Sequence, residues 1–261
     1  MHLFTRWLFA LGSTAVALTA HAAVGAQPRH ITVAAAADLQ YAMDRVVSAY
    51  RHAHPDDGID VVYGSSGKLL VQIEQGAPFD LFFSANSDYP AQLLAHGDAG
   101  GQPVPYAVGH IVLWSASIDM RGVTLADLAQ PRFGRIAIAN PKHAPYGKRA
   151  EQALRSAGLW TQLQPRLVYG ENIGQTAQFA QSGNAQVGII AQSLALDPSM
   201  AHGSYAPVPA TAYQPLQQSF VLTRRGAGNP LAQDFARYVQ GAQARAILVR
   251  YGFAVPDAAA R

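Results

Sequence analysis

The sequence of 261 residues contains no cysteine, and that absence excludes a good deal. A disulfide framework, thiolate metal sites, iron–sulfur chemistry and a cysteine nucleophile are all ruled out. Charge is scarce as well, at 13% of residues, and the formal net charge is only +3. The pI of 9.2 rests on scattered arginines and three lysines. No basic block is longer than Lys148-Arg149 or Arg224-Arg225, so no nucleic-acid footprint is present. There is no phosphate-binding loop and no dinucleotide fingerprint, so the chain does not itself hydrolyse ATP. Repeats, heptads and low-complexity tracts are missing too. What remains is 49% hydrophobic, the composition of a folded globular protein long enough for one large domain or two modest ones.

The N-terminus reads as a secretory signal. Arg6 gives a small positive start, Trp7 to Leu18 is apolar, and Ala20-His21-Ala22 places small residues at alternate positions. The apolar run is shorter than the roughly 20 residues a membrane anchor needs. Residues 1–22 are therefore expected to be removed after Ala22, with Val24-Gly25-Ala26 as a second candidate cleavage site. With no cysteine to follow the signal, no lipid tether is possible, and an exported, freely soluble protein is expected.

The mature chain alternates short apolar runs with amphipathic helices, an α/β pattern. Ile31 to Ala36 reads as a buried strand, followed by a helix burying Leu39, Ala42, Met43, Val46, Val47 and Tyr50, with Asp38 as its N-cap. Ile59 to Tyr63 and Asp80 to Ala85 are further strands, and the intervening helices end at Gly76 and Gly97. These βαβ units predict a largely parallel sheet. A second set begins with the β-prone run Val108 to Trp114 and a short helix capped by Thr124. It continues with strands at Arg135–Asn140, Leu167–Tyr169 and Val187–Ala191, and helices from Tyr146 and from Asn172. After the strand Ser219–Thr223, two final helices follow, the first starting at Pro230 with Asn229 as cap. Two similar units predict two lobes around a cleft.

Four strand-to-helix junctions are built of small or hydroxyl residues: Ala35-Ala36-Ala37-Asp38, Gly64-Ser65-Ser66-Gly67, Ala144-Pro145-Tyr146-Gly147 and Gly170-Glu171-Asn172-Ile173. Each leaves unpaired N–H groups at the positive end of a helix dipole, where an oxyanion binds without any Lys or Arg. In parallel α/β sheets such junctions gather at the carboxyl ends of the strands. One junction alone is an ordinary cap; four suggest a site.

Several runs resemble the periplasmic molybdate-binding proteins of ABC uptake systems. They are Ile31 to Ala37, Tyr63-Gly64-Ser65-Ser66-Gly67, Gln72 to Ala85 with its Gly-Ala-Pro-x-Asp core, Ile138 to Gly147, Gly170-Glu171-Asn172-Ile173 and Arg250-Tyr251-Gly252-Phe253. The resemblance spans Ile31 to Phe253. It implies a type II two-lobed periplasmic-binding-protein fold, each lobe a sheet flanked by helices. Residues 27–109 and 210–261 would form one lobe and 110–209 the other. It further implies a monomer that captures molybdate or tungstate, uses no cofactor, and delivers the anion to an ABC permease in the inner membrane. The family's ligand positions fall on Asp38, Ser66, Gly67, Tyr146, Ile173 (through its N–H) and Ala191.

Two of these depart from the family pattern. Ala191 stands where the family has a tyrosine, a loss that the Tyr146 hydroxyl could make good from another side. Asp38 stands where the family has a neutral hydroxyl. A carboxylate about 4 Å from an anion costs on the order of 4 kcal/mol per unit charge at an effective dielectric of 20. Asp38 is therefore expected to turn back and cap its own helix. Otherwise it accepts a proton from a protonated oxyanion such as hydrogen phosphate, or the ligand is not an anion. An exported enzyme with Asp38 as general base lacks a second catalytic group.

The other candidates carry little. His52 and His54 with Asp56 and Asp57 read as a solvated helix end rather than metal ligands. Gly64 to Gly67 is one residue short of a nucleophile elbow. Trp114, Trp160 and Tyr169 are expected in the core or at a hinge.

Overall fold

The alternating pattern resolves into two five-stranded sheets in a computed structural model that describes residues 29–256. The expected signal peptide lies outside these residues. The chain begins with β1 (His30–Ala36), a 3-10 turn (Ala37–Leu39), α1 (Gln40–Ala53), β2 (Gly58–Gly64), α2 (Ser66–Glu74), β3 (Leu81–Ser84), α3 (Asp88–His96) and β4 (Val104–Gly109). It crosses into β5 (Ile111–Ser115), β6 (Ile136–Ala139), α4 (Pro145–Ser156), α5 (Trp160–Leu163), β7 (Leu167–Gly170), α6 (Ile173–Gln181), β8 (Val187–Ala191), α7 (Gln192–Ala195) and β9 (Ser204–Pro207). It then returns through β10 (Leu216–Leu222), α8 (Pro230–Val239) and α9 (Ala242–Arg250).

The first sheet has the order β2-β1-β3-β10-β4 and the second β7-β6-β8-β5-β9. Each contains one reversed strand. β10 runs antiparallel to β3 and β4, and β5 runs antiparallel to β8 and β9. In both sheets the reversed strand is the one by which the chain enters, so the two crossings between sheets account for the departure from all-parallel pairing.

The β-prone run Val108 to Trp114 is the clearest difference from the sequence expectation. It is two strands in two different sheets, parted at His110. Both halves are apolar because each is buried, so no polar break marks the crossing. Gly109 is the last residue of β4, and a Cβ there would lie 2.2 Å from the Tyr146 hydroxyl and 2.7 Å from Gln218 Nε2. Its lack of a side chain is what lets α4 approach the crossing.

α1 buries Ala42, Met43, Val46, Val47 and Tyr50, with Leu39 just before it, as its spacing predicts. These residues pack with Phe235, Phe220 and Phe83 in the core of the first sheet. Asn229 caps α8 by accepting the Leu231 N–H. Thr124 does not cap as expected. Its N–H and hydroxyl are both donated to Asp127 Oδ2, and the short helix is a 3-10 turn at Ala126–Ala129. Trp114 and Trp160 are buried, but Tyr169 is 45% exposed, because strand β7 is an edge strand of its sheet.

Candidate functional site

The carboxyl ends of β1 and β2 and the residue after β3 face the N-termini of α4 and α6 across a small space of about 190 Å³. Its lining includes Ala37, Asp38, Ser65, Ser66, Ala85, Tyr146 and Ile173. Even this volume is below the roughly 300 Å³ at which pockets for organic ligands begin. Ser66 opens α2, Tyr146 is the second residue of α4 and Ile173 opens α6. Their N–H groups lie in first turns, where no intrahelical carbonyl is available. Three helix dipoles thus place positive ends at one small cavity. Gly147 brings α4 this close to β6, since a Cβ there would meet the Ala139 carbonyl oxygen at 2.1 Å. Ser66 Oγ accepts the Ala85 N–H at 3.0 Å, which leaves its hydroxyl proton free to donate.

Asp38 is the one charged side chain in the lining, and it is 1% exposed. The expected capping role is not what the structure shows. The N-cap positions of the 3-10 turn and of α1 are Ala36 and Leu39, and neither helix start has a side-chain cap. The carboxylate instead turns toward partners far along the chain. Oδ2 accepts the Tyr146 hydroxyl at 2.9 Å and Gln218 Nε2 at 2.7 Å. Behind it, Tyr106 donates to Gln218 Oε1 at 2.5 Å, which fixes the amide with its nitrogen toward Asp38. Oδ1 is buried with no hydrogen-bond partner among the described residues. Burial pushes the carboxyl up to about 6, while the bonds from Gln218 and Tyr146 pull the other way. The hydroxyls of Tyr106 and Tyr146 are held well above the usual tyrosine value by burial and then by Asp38.

Gln218 and Tyr106 were not singled out from the sequence. Gln218 is 1% exposed in a strand of apolar neighbours, and a buried amide needs partners, which was the available signal. A register shift between Gln218 and Ser219 re-aims the side chain, as bulges do next to functional sites.

Of the six expected positions, Asp38, Ser66, Tyr146 and Ile173 line the space, and Gly67 and Ala191 are not in its lining. The Gly67 N–H is donated to the His143 carbonyl at 3.0 Å, and a Cβ at 67 would stand 2.6 Å from that oxygen. Ala191 is fully buried at the end of β8 and precedes α7, where Ser193 donates to the Asp38 carbonyl at 2.7 Å. The Tyr146 hydroxyl does not replace the missing phenol at 191, because it is committed to Asp38.

Further bonds join the two sides. Ser65 Oγ and His143 Nδ1 are 2.9 Å apart, and Lys68 pairs with Glu171 at the rim. The His143 imidazole is shifted down by burial, with Lys68 acting in the same direction and Glu171 against it. Among the described residues no group of three or more His, Asp or Glu is placed to hold a metal ion. His54 instead stacks on Tyr50 with ring centroids 4.4 Å apart.

Two sheets joined by two crossings, closing together on a space this small, define a two-lobed solute receptor. Residues 31–254 match the family model described as bacterial extracellular solute-binding protein. The chain belongs to that family. It is 36% identical over 253 residues to the molybdate-binding protein ModA of Azotobacter vinelandii, covering 94% of this chain and 98% of the relative. It is 34% identical over 246 residues to the protein of the same name from Rhodobacter capsulatus, covering 93% and 95%. The solved structure of the Azotobacter vinelandii periplasmic molybdate-binding protein superposes with a TM-score of 0.80 at 32% identity, covering 87% of this chain and all of that one.

Proposed function

We propose that this receptor captures molybdate, and tungstate as a second ligand, in the periplasm and hands it to an ABC permease of the inner membrane. The observation that carries the reading is the convergence of the α2, α4 and α6 N-termini on a cavity with no cation in its lining. The relatives named above support the choice of anion. Recognition comes from neutral donors: the N–H groups of Ser66, Tyr146 and Ile173 and the Ser66 hydroxyl. A closed small cavity strengthens each of these bonds by excluding water.

The same reading assigns residues 27–109 and 210–261 to one lobe and 110–209 to the other, with the cleft opening about the two crossings. Export by a signal removed after Ala22, a soluble monomer without a lipid anchor, and no catalytic activity complete it. Gly67 acts in closure, through its bond to His143, rather than by touching the anion. A second reading, a receptor for hydrogen phosphate, is favoured by the unpaired Oδ1 of Asp38, which is able to accept the ligand's own proton.

A thermal-shift series with molybdate, tungstate, sulfate and phosphate tests the assignment. Stabilisation by molybdate and tungstate alone is expected. A response to phosphate alone selects the second reading, and no response to any of the four refutes both.

A further inference from the structure

We propose that Asp38 receives the anion as a neutral carboxylic acid, so that one proton from solvent enters the cleft with each oxyanion bound. This rests on the oxyanion reading above and adds the chemistry of the single acidic residue in the lining.

The geometry decides where the proton goes. Oδ2 already accepts two donors, Tyr146 and Gln218, while Oδ1 is buried, unpaired among the described residues, and belongs to a residue that lines the cavity. An added proton therefore resides on Oδ1. A fully deprotonated oxyanion presents only acceptor atoms. Opposite a carboxylate Oδ1 it would meet acceptor with acceptor and like charge with like charge. Opposite Oδ1–H it meets a donor, the fourth kind of neutral donor in a site that otherwise uses N–H and hydroxyl groups.

The surrounding groups bring no compensating charge. Tyr146 faces Asp38 from α4, Gln218 from β10, Ser193 from α7, and Tyr106 stands behind Gln218 on β4. Ser66 shares the cavity from α2. Both tyrosines stay neutral, since burial and Asp38 hold their hydroxyls far above the physiological range. Burial already favours the protonated form of Asp38, with a value of about 6. A nearby anion acts in the same direction. Gln218, Tyr146 and Tyr106 are thus positioning residues: they occupy Oδ2 and leave Oδ1 to the ligand.

Calorimetric titration with molybdate in two buffers of different ionisation enthalpy counts the protons, because molybdate itself does not titrate near neutrality. At about pH 7.5, close to one proton is expected to be taken up per anion, with the dissociation constant rising about tenfold per pH unit above neutrality. Asp38→Asn is expected to abolish the proton uptake and flatten the profile. Tyr146→Phe removes one donor from Oδ2 and is expected to move the break in the profile to higher pH, which a loss of packing alone does not do. Molybdate binding without proton uptake overturns the proposal while leaving the oxyanion reading intact, as does a slope that persists in Asp38→Asn. Binding of phosphate but not molybdate also overturns it, since Asp38 then accepts the ligand's proton. If molybdate, tungstate, sulfate and phosphate all fail to bind at any pH, the oxyanion reading fails and the proposal falls with it.

Discussion

Replacing Asp38 by asparagine puts the electrostatic argument to a quantitative test. Two routes are open to the wild-type site when a dianion arrives. Leaving the carboxylate charged at about 4 Å from the ligand costs about 8 kcal/mol at an effective dielectric of 20, from about 4 kcal/mol for each unit of ligand charge. Protonating it costs about 1.4 kcal/mol for each pH unit above its value of about 6, hence about 2.7 kcal/mol near pH 8. Protonation is the cheaper route by a wide margin across the physiological range. The wild-type protein therefore gives up about a hundredfold in affinity near pH 8 relative to acid pH. Asparagine avoids this loss. Its amide oxygen can accept from Tyr146 and Gln218 as Oδ2 does, and its NH₂ takes the place of Oδ1–H. Asp38→Asn should thus bind molybdate about a hundredfold tighter than wild type near pH 8, with the two converging to within a few-fold near pH 5. Competition titrations at both pH values measure the difference. Equal affinity near pH 8, or a gap that does not close in acid, refutes the reasoning.

Other expectations follow from neighbouring contacts. Gly109→Ala drives a methyl group into the berth of the Tyr146 hydroxyl, so it should break the bond to Asp38 and weaken binding by about tenfold or more, read as a change in dissociation constant. Lys68→Ala removes one partner of a rim ion pair whose side chains are 53% and 45% exposed, so affinity should change by less than about fivefold. Asn229→Ala deletes the α8 cap and should lower unfolding stability by about 1 kcal/mol in urea titrations while leaving molybdate affinity unaltered.

Local patterns were legible in the sequence where local physics decides the outcome. The buried stripe of α1, the Asn229 cap and the left-handed glycines at 76 and 97 follow from spacing and backbone freedom. Ser66, Tyr146 and Ile173 were found because a helix start leaves donors unpaired wherever the helix lies. Asp38 was misjudged because its partners are distant. Tyr146 is 108 residues away and Gln218 is 180, so nothing local announces that two donors will draw the carboxylate from a cap. Capping is worth about 1 kcal/mol, whereas a hydrogen bond to a charged group contributes about 1.5–3 kcal/mol, so two such bonds prevail. The split of Val108 to Trp114 was hidden for a related reason. A strand that leaves one core and a strand that enters another are equally apolar, and only tertiary structure separates them. Gln218 needed both its buried position and the adjacent bulge to become visible.

The central claim is that the anion is held between the lobes by uncharged donors at helix N-termini. A crystal structure with molybdate bound tests it most directly. The account predicts the anion in the cavity lined by Asp38, Ser66, Tyr146 and Ile173. Its oxygens should lie about 2.7–3.2 Å from the backbone nitrogens of Ser66, Tyr146 and Ile173. A molybdate found instead among Arg45, Arg51 and Arg250, in the wider groove beside α1 and α9, would contradict it.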